Sequence, residues 1–172
     1  MRCMRCYPSN PYNRLLADRV DPNVDRSIPA GEPHTRNAAT KVLVSRLWAL
    51  YAWPEQNLPV RELTVAKLLA YRAQPDYVSD EERTRKRPTR EWDYGRIRHF
   101  YDCLLAGKVL DAIEVDNVCN YGRIYPEPIL LDGHHRLAAS YLAEASSIFI
   151  HYGGRLDLLR YLRGTRKTCP VE

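Results

Sequence analysis

The pattern of apolar and polar positions predicts a mixed chain of short helices and strands. Apolar residues recur at helical spacing from Ala38 to Ala52, in the segments that follow Val65 and Tyr94, and in two segments near the C-terminus. Apolar or alternating segments predict strands, and these are Val60–Val65, Val109–Asn117, Ile129–Leu131 and Ser147–Tyr152. The content is therefore α/β in the broad sense, with helices and strands interspersed.

Polar and turn residues predict where several of these elements begin and end. Pro54 ends the helix over 38–52, and Thr64 is placed to cap a helix from Val65 to Arg72. Asp93 is placed to cap a helix over 94–106, which Gly107 terminates. The final helix, over 156–162, stops at Gly164.

One stretch, Ile129 to Ala139, carries the strongest chemical signal. An apolar strand runs into Asp132-Gly133, and Leu137 begins an apolar stripe at helical spacing. The first turn of the predicted helix therefore contains His134, His135 and Arg136. Free N–H groups and the positive end of the helix dipole favour anions there, and an arginine grips phosphate with two hydrogen bonds. The stretch predicts an anion site, in particular one for a nucleotide phosphate.

The sequence Asp-Gly-His-His-Arg-Leu-Ala-Ala after an apolar strand resembles the signature of the ParB/sulfiredoxin superfamily. A weaker resemblance extends from about Val60 to Tyr152. It implies a small α/β (α+β) fold, a mixed sheet with packed helices, that binds a nucleoside triphosphate with its phosphates on the helix start. Members include sulfiredoxins, plasmid-partition CTPases, a free-serine kinase, and plasmid fertility-inhibition proteins with ATPase and DNase activity.

Two branches of that superfamily fit this chain poorly. His134 stands where sulfiredoxins carry their reactive cysteine, so sulfiredoxin chemistry would lack its nucleophile. Partition proteins carry a helix-turn-helix domain further on, and only about 20 residues follow the last predicted strand here. We therefore expect a compact member without a helix-turn-helix.

The resemblance and the chemistry of phosphoryl transfer together assign candidate roles. Gly133, His134, His135 and Arg136 would bind the phosphates of ATP or another nucleoside triphosphate. His135 or Glu62 would act as the base. Asp132 would hold Mg²⁺ through water, or would instead only cap the helix.

Charge adds a candidate contact with nucleic acid. The 172-residue chain has a net charge of +5 and a pI near 9.0, which favours polyanionic partners. Four basic residues lie within five positions of a polar loop that follows Pro75. They could contact a DNA backbone or be merely solvated, and they are Arg83, Arg85, Lys86 and Arg87.

The remaining features shape the domain organisation. We predict an extended arm over 1–37, an accessory helix over 38–56, a ParB/sulfiredoxin-like domain over 58–164 and a basic tail over 165–172. The five cysteines follow no disulfide pattern, and Cys3-x-x-Cys6 has no second pair to complete a zinc site. No segment resembles a membrane span or signal peptide, so we expect a cytoplasmic protein with no membrane partner.

Three functions follow as expectations. The first is a protein that binds and hydrolyses an ATP-like nucleotide, with DNase activity, and that blocks plasmid or DNA transfer. The second is a small-molecule kinase of the free-serine type. The third is a nucleotide-gated binding module without turnover, whose N-terminal arm and helix contact a protein partner.

Overall fold

The computed structural model describes residues 39–51, 60–75, 90–118 and 124–170. Its elements, in chain order, are β1 (Thr40–Leu43), α1 (Val44–Leu50), a 3-10 turn (Val60–Glu62), α2 (Val65–Leu69), α3 (Arg90–Leu105), β2 (Ile113–Val118), β3 (Ile124–Asp132), α4 (His134–Leu142), β4 (Ser147–Gly153) and α5 (Leu156–Leu162). The predicted α+β class is confirmed.

The four strands form one mixed sheet in the order β1-β4-β2-β3. β1 pairs antiparallel with β4, and β3 pairs antiparallel with β2. The two central strands, β2 and β4, run parallel, with Ile113 opposite Ile150. Because β3 leads directly into α4, the start of that helix lies at one end of the sheet.

One face of the sheet supplies most of the core. Period-two alternation buries Ile113 and Val115 of β2 and Ile148, Ile150 and Tyr152 of β4. The helices close over these side chains with further apolar residues, among them Leu47, Leu68, Ile97, Leu137, Leu158 and Leu162. Burial of this apolar surface is the main stabilising contribution to the fold.

The helix predicted over 38–52 is wrong in its first part. Thr40–Leu43 instead forms β1, whose register puts Val42 opposite Ile148, and the helix begins at Val44. Val42 and Leu47 are both buried in the core. The described part of the 38–56 segment is thus built into the sheet and core, not appended to them.

The strand predicted at Val60–Val65 is also wrong. Val60–Glu62 forms a 3-10 turn, closed by the Leu63 N–H donating to the Val60 carbonyl at 3.1 Å. Val60 and Leu63 are both buried, as residues three apart on such a turn can be. The cap at Thr64 is confirmed, because its hydroxyl accepts from the Lys67 N–H at 3.3 Å, but α2 ends at Leu69 rather than Arg72.

Helix α3 begins earlier than predicted and ends where predicted. It starts at Arg90, so Asp93 lies inside the first turn rather than at the cap. Gly107 has φ +73° and its N–H donates to the Leu104 carbonyl, which ends the helix. Its apolar side chains face the core, with Ile97 and Tyr101 buried and Phe100 and Leu104 half-buried.

The strand–turn–helix at Ile129–Ala139 and the last strand and helix are confirmed. β2 starts at Ile113 rather than Val109, and its Asp116 is buried. Tyr141 of α4 is half-exposed and stacks on Trp48, with 4.5 Å between the ring centroids.

Several predictions fall outside the described residues. These are the arm over 1–37, the Cys3-x-x-Cys6 pair and the basic loop with Arg83, Arg85, Lys86 and Arg87. The tail is described as far as residue 170, and the N–H groups of Thr165 and Arg166 bond back to the Arg160 carbonyl at the end of α5. Within the described ranges, no helix has the length and apolar character needed to cross a membrane.

Candidate functional site

Gly133 fixes the junction between β3 and α4. Its φ is +96°, a left-handed conformation that favours glycine. A Cβ placed there would lie 2.3 Å from Cγ2 of Ile113, so the neighbouring strand also excludes any side chain. The sequence assigns this glycine to close approach by a ligand. The structure gives it a close approach to β2 as well.

Arg136 joins three segments at the start of α4. One guanidinium nitrogen, Nη1, donates to the carbonyls of Asp111 at 3.0 Å and Ala112 at 2.9 Å. The other, Nη2, donates to the Asp132 carboxylate at 2.7 Å. The arginine side chain is largely buried, whereas Asp132 is largely exposed. Arg136 thus fixes the entry to β2 with one nitrogen and presents the other, with Asp132, toward solvent.

His135 pairs with a carboxylate on α3. Its Nε2 lies 2.8 Å from Oδ1 of Asp93, and both side chains are four-fifths buried. The Trp92 ring meets the imidazole edge-on at 5.3 Å between centroids. A carboxylate in this position holds an imidazole in one orientation.

His134 points toward α1 instead. Its Nδ1 hydrogen-bonds the hydroxyl of Tyr51, which is buried at the end of that helix. Arg61 donates to the Tyr51 carbonyl at 2.6 Å, so the 3-10 turn is tied to the same point. Adjacent helical side chains diverge by about 100°, and His134 and His135 accordingly contact different helices.

A cleft of about 410 Å³ opens at this helix start. Its lining contains the predicted residues Asp132, Gly133, His134, His135 and Arg136, and it adds Trp92, Arg96, Phe100 and Asp111. Arg96 donates to the carbonyls of Gln74 and Pro75 and packs over the Phe100 ring at 4.8 Å. We call this space the α4 cleft. It combines two guanidinium groups, two carboxylates and two aromatic rings around the first turn of α4.

Glu62 is the predicted site residue that lies away from this cleft. It is exposed at the end of the 3-10 turn and does not contribute to the cleft lining. Burial raises the pKa of the Tyr94 hydroxyl, and the charge of Glu62 adds to that shift.

Sequence reasoning did not assign the residues that α3 brings to the cleft. Trp92 and Arg96 lie four positions apart on that helix, and Phe100 follows after four more, so all three share one face. That spacing was visible in the sequence. The contact between Asp93 and His135 was not, because 42 positions separate them.

No group of three or more histidine, cysteine, aspartate or glutamate side chains in the described ranges could hold a metal ion by itself. A metal at Asp132 would need ligands from outside the protein, such as phosphate oxygens and water. Comparisons with protein-family models, with curated proteins and with solved structures find no match for this chain.

Proposed function

We propose that the α4 cleft binds the phosphates of a nucleoside triphosphate, ATP being the first candidate, and that the protein hydrolyses it. The observation that carries the proposal is the single cleft that joins a helix start to Arg136, Arg96 and the rings of Trp92 and Phe100. Its volume lies in the range of small-molecule sites, about 300–1,000 Å³. Aromatic faces beside an anion site suit a ligand with both a flat base and phosphates.

The phosphates would lie against the first turn of α4. Its N–H groups have no acceptor within the helix, and the helix dipole favours negative charge there. Arg136 belongs to this turn, and its Nη2 is paired with the exposed Asp132. A phosphate would compete with Asp132 for that nitrogen while Nη1 stays on the Asp111 and Ala112 carbonyls.

Two carboxylates in the cleft support Mg²⁺ as a partner of the nucleotide. Asp111 and Asp132 both line the space, and unaccompanied carboxylates would repel phosphate. Mg²⁺ is typically held by one or two carboxylates, phosphate oxygens and water. Asp132, with Asp111 beside it, would hold the ion, which would neutralise charge that develops on the phosphate.

His135 is the candidate base. Asp93 orients its ring and stabilises the imidazolium that forms when the ring takes a proton from an attacking water. The same chemistry serves a DNA phosphodiester, and the net charge of +5 favours such a polyanion. The resemblance of Asp132–Ala139 to ParB/sulfiredoxin proteins supports an ATPase and DNase role, including one that blocks plasmid transfer.

A second candidate is a nucleotide-binding module without turnover. The observation that favours it is that His134, His135 and Arg136 are each bonded to a different part of the fold. A ligand bound at this first turn would therefore affect the contacts that these residues make with α1, α3 and the entry to β2. Such an arrangement suits a protein whose shape, rather than its chemistry, responds to the nucleotide.

The test is calorimetric titration of ATP and of CTP with Mg²⁺, followed by product analysis with and without supercoiled plasmid. We expect binding, with nucleoside diphosphate or nicked plasmid as product. Asp93→Asn should lower turnover at least tenfold with little change in affinity, whereas Glu144→Gln, at an exposed position of the α4–β4 turn, should change neither.

The other outcomes are equally decisive. Binding without product would identify the module. Turnover that requires a hydroxylated amino acid would identify the kinase. Failure of both nucleotides to bind would reject the nucleotide site.

A further inference from the structure

A second, smaller cleft lies on the sheet face opposite the core. Parallel pairing puts Glu114 opposite His151 and Asp116 opposite Gly153. Since Ile113, Val115, Ile150 and Tyr152 point into the core, period-two alternation turns the intervening positions to the other face. Together with Leu131 of β3, they line a space of about 250 Å³, which we call the β2–β4 cleft.

The two carboxylates that line this cleft belong to side chains that are partly or almost fully buried. Asp116 is only 4% exposed. A Cβ on Gly153 would lie 3.0 Å from Oδ2 of Asp116, so the absence of a side chain at Gly153 makes room for this carboxylate. Glu114 is half-buried on the same strand. The cleft is thus acidic, in a chain whose net charge is +5.

The imidazole of His151 supplies an independent sign of a ligand. Its Nδ1 is buried and has no hydrogen-bond partner in the described part of the chain. Buried polar atoms are nearly always hydrogen-bonded, and an exception commonly marks the place of a ligand, ion or water. His151 lines the cleft beside two carboxylates, so a donor bound in the cleft is the candidate partner for this nitrogen.

We propose that the β2–β4 cleft binds a small organic ammonium ion. An ammonium group has N–H donors and a positive charge, and the residues that line the cleft offer acceptors on Glu114, on Asp116 and at Nδ1 of His151. A bare metal ion fits less well, since no three such side chains in the described ranges converge on a metal position. This site is separate from the α4 cleft and does not depend on nucleotide binding.

The test titrates the full chain with butane-1,4-diammonium and follows the ring nitrogens of His151 by ¹H–¹⁵N NMR. We expect the Nδ1 signal of the Nε2–H tautomer to shift in a saturable manner. Tetramethylammonium carries the same charge on each nitrogen without any N–H donor, and it should produce no such shift at equal ionic strength.

Variants separate this site from general attraction of cations. Glu114→Gln, followed by the His151 signal, and His151→Phe, followed by calorimetric titration because it lacks that signal, should each weaken diamine binding about tenfold, the loss expected when a charge-assisted hydrogen bond is removed. Glu144→Gln removes an exposed carboxylate elsewhere and should leave binding unchanged. Asp116→Asn is not used, because the buried carboxylate contributes to the fold.

Three results would overturn the proposal. They are equal responses to both ammonium ions, undiminished diamine binding in His151→Phe, and displacement of the diamine from wild-type protein by micromolar Mn²⁺, which would assign the cleft to a metal.

Discussion

Strand β3 contributes Asp132 to the α4 cleft and Leu131 to the β2–β4 cleft, but the two clefts are built in contrasting ways. The α4 cleft contains two arginines, whose guanidinium groups donate to backbone carbonyls and to the Asp132 carboxylate. The β2–β4 cleft contains two carboxylates and an imidazole nitrogen that lacks a partner in the described ranges. The first arrangement ties several elements of the fold together. The second leaves a buried polar atom unsatisfied.

The difference shows how much a local motif can reveal. Asp132 to Arg136 are contiguous, so their chemistry was visible in the sequence before the fold was known. Glu114 and His151 come together only through the register of β2 and β4. A site assembled by strand register has no sequence motif. The β2–β4 cleft is indicated instead by Nδ1 of His151, which lacks a hydrogen-bond partner in the described ranges.

The largest expected loss of stability comes from substituting Gly133, the glycine of the α4 cleft. Gly133→Ala adds strain at φ +96° and a clash with Ile113, so we expect a loss of about 3 kcal/mol or more in the free energy of unfolding. Gly107→Ala is the matched control, with φ +73° and no atom within 4 Å of its added Cβ. It should lose only about 1–2 kcal/mol in urea denaturation. Equal losses would show that packing against β2 is unimportant.

Arg136→Ala should cause the next largest loss of stability. It leaves the carbonyls of Asp111 and Ala112 without their donor, which we expect to cost about 2–4 kcal/mol of unfolding free energy. It should also abolish nucleotide binding at temperatures where the variant remains folded. Arg98→Ala is the control, because Arg98 likewise bonds an aspartate and a backbone carbonyl but is more exposed. Unchanged nucleotide affinity in Arg136→Ala would reject the phosphate site.

The smallest expected loss of stability comes from substituting Tyr152, the buried tyrosine next to the β2–β4 cleft. Burial, and then the charge of Asp116, raise the pKa of Tyr152 far above its usual value of about 10. The folded state therefore keeps the proton that the unfolded state releases, and stability should fall with rising pH above about 10. Below that pH, Tyr152→Phe should lose about 1 kcal/mol with the hydrogen bond to the Arg155 carbonyl.

Denaturation curves between pH 8 and 11 test this prediction. The gap in unfolding free energy between wild type and Tyr152→Phe should narrow above pH 10. Parallel pH profiles would contradict the proposed link between this phenol and alkaline stability.

The sequence predicted the elements that local signals determine. β3, α4 and the end of α3 at Gly107 follow from apolar periodicity and turn residues. The predictions for Thr40–Leu43 and Val60–Glu62 were wrong because contacts distant in sequence decide their conformation. Pairing with β4 makes the first segment a strand, and burial of Val60 and Leu63 accompanies the turn in the second. Of the residues that line the α4 cleft, the sequence predicted only Asp132 to Arg136. Asp93 joins it through a contact across 42 positions, which no local pattern contains.

The most direct test of the nucleotide site is the affinity of Asp132→Asn for ATP without Mg²⁺. Removing this carboxylate lifts a negative charge from the cleft and weakens the competitor for Nη2 of Arg136. We expect calorimetry to show binding about fivefold tighter than wild type, which corresponds to roughly 1 kcal/mol of relieved repulsion. With Mg²⁺ present the direction should reverse if Asp132 holds the ion. Weaker or unchanged Mg²⁺-free binding would contradict the placement of the phosphates at the first turn of α4.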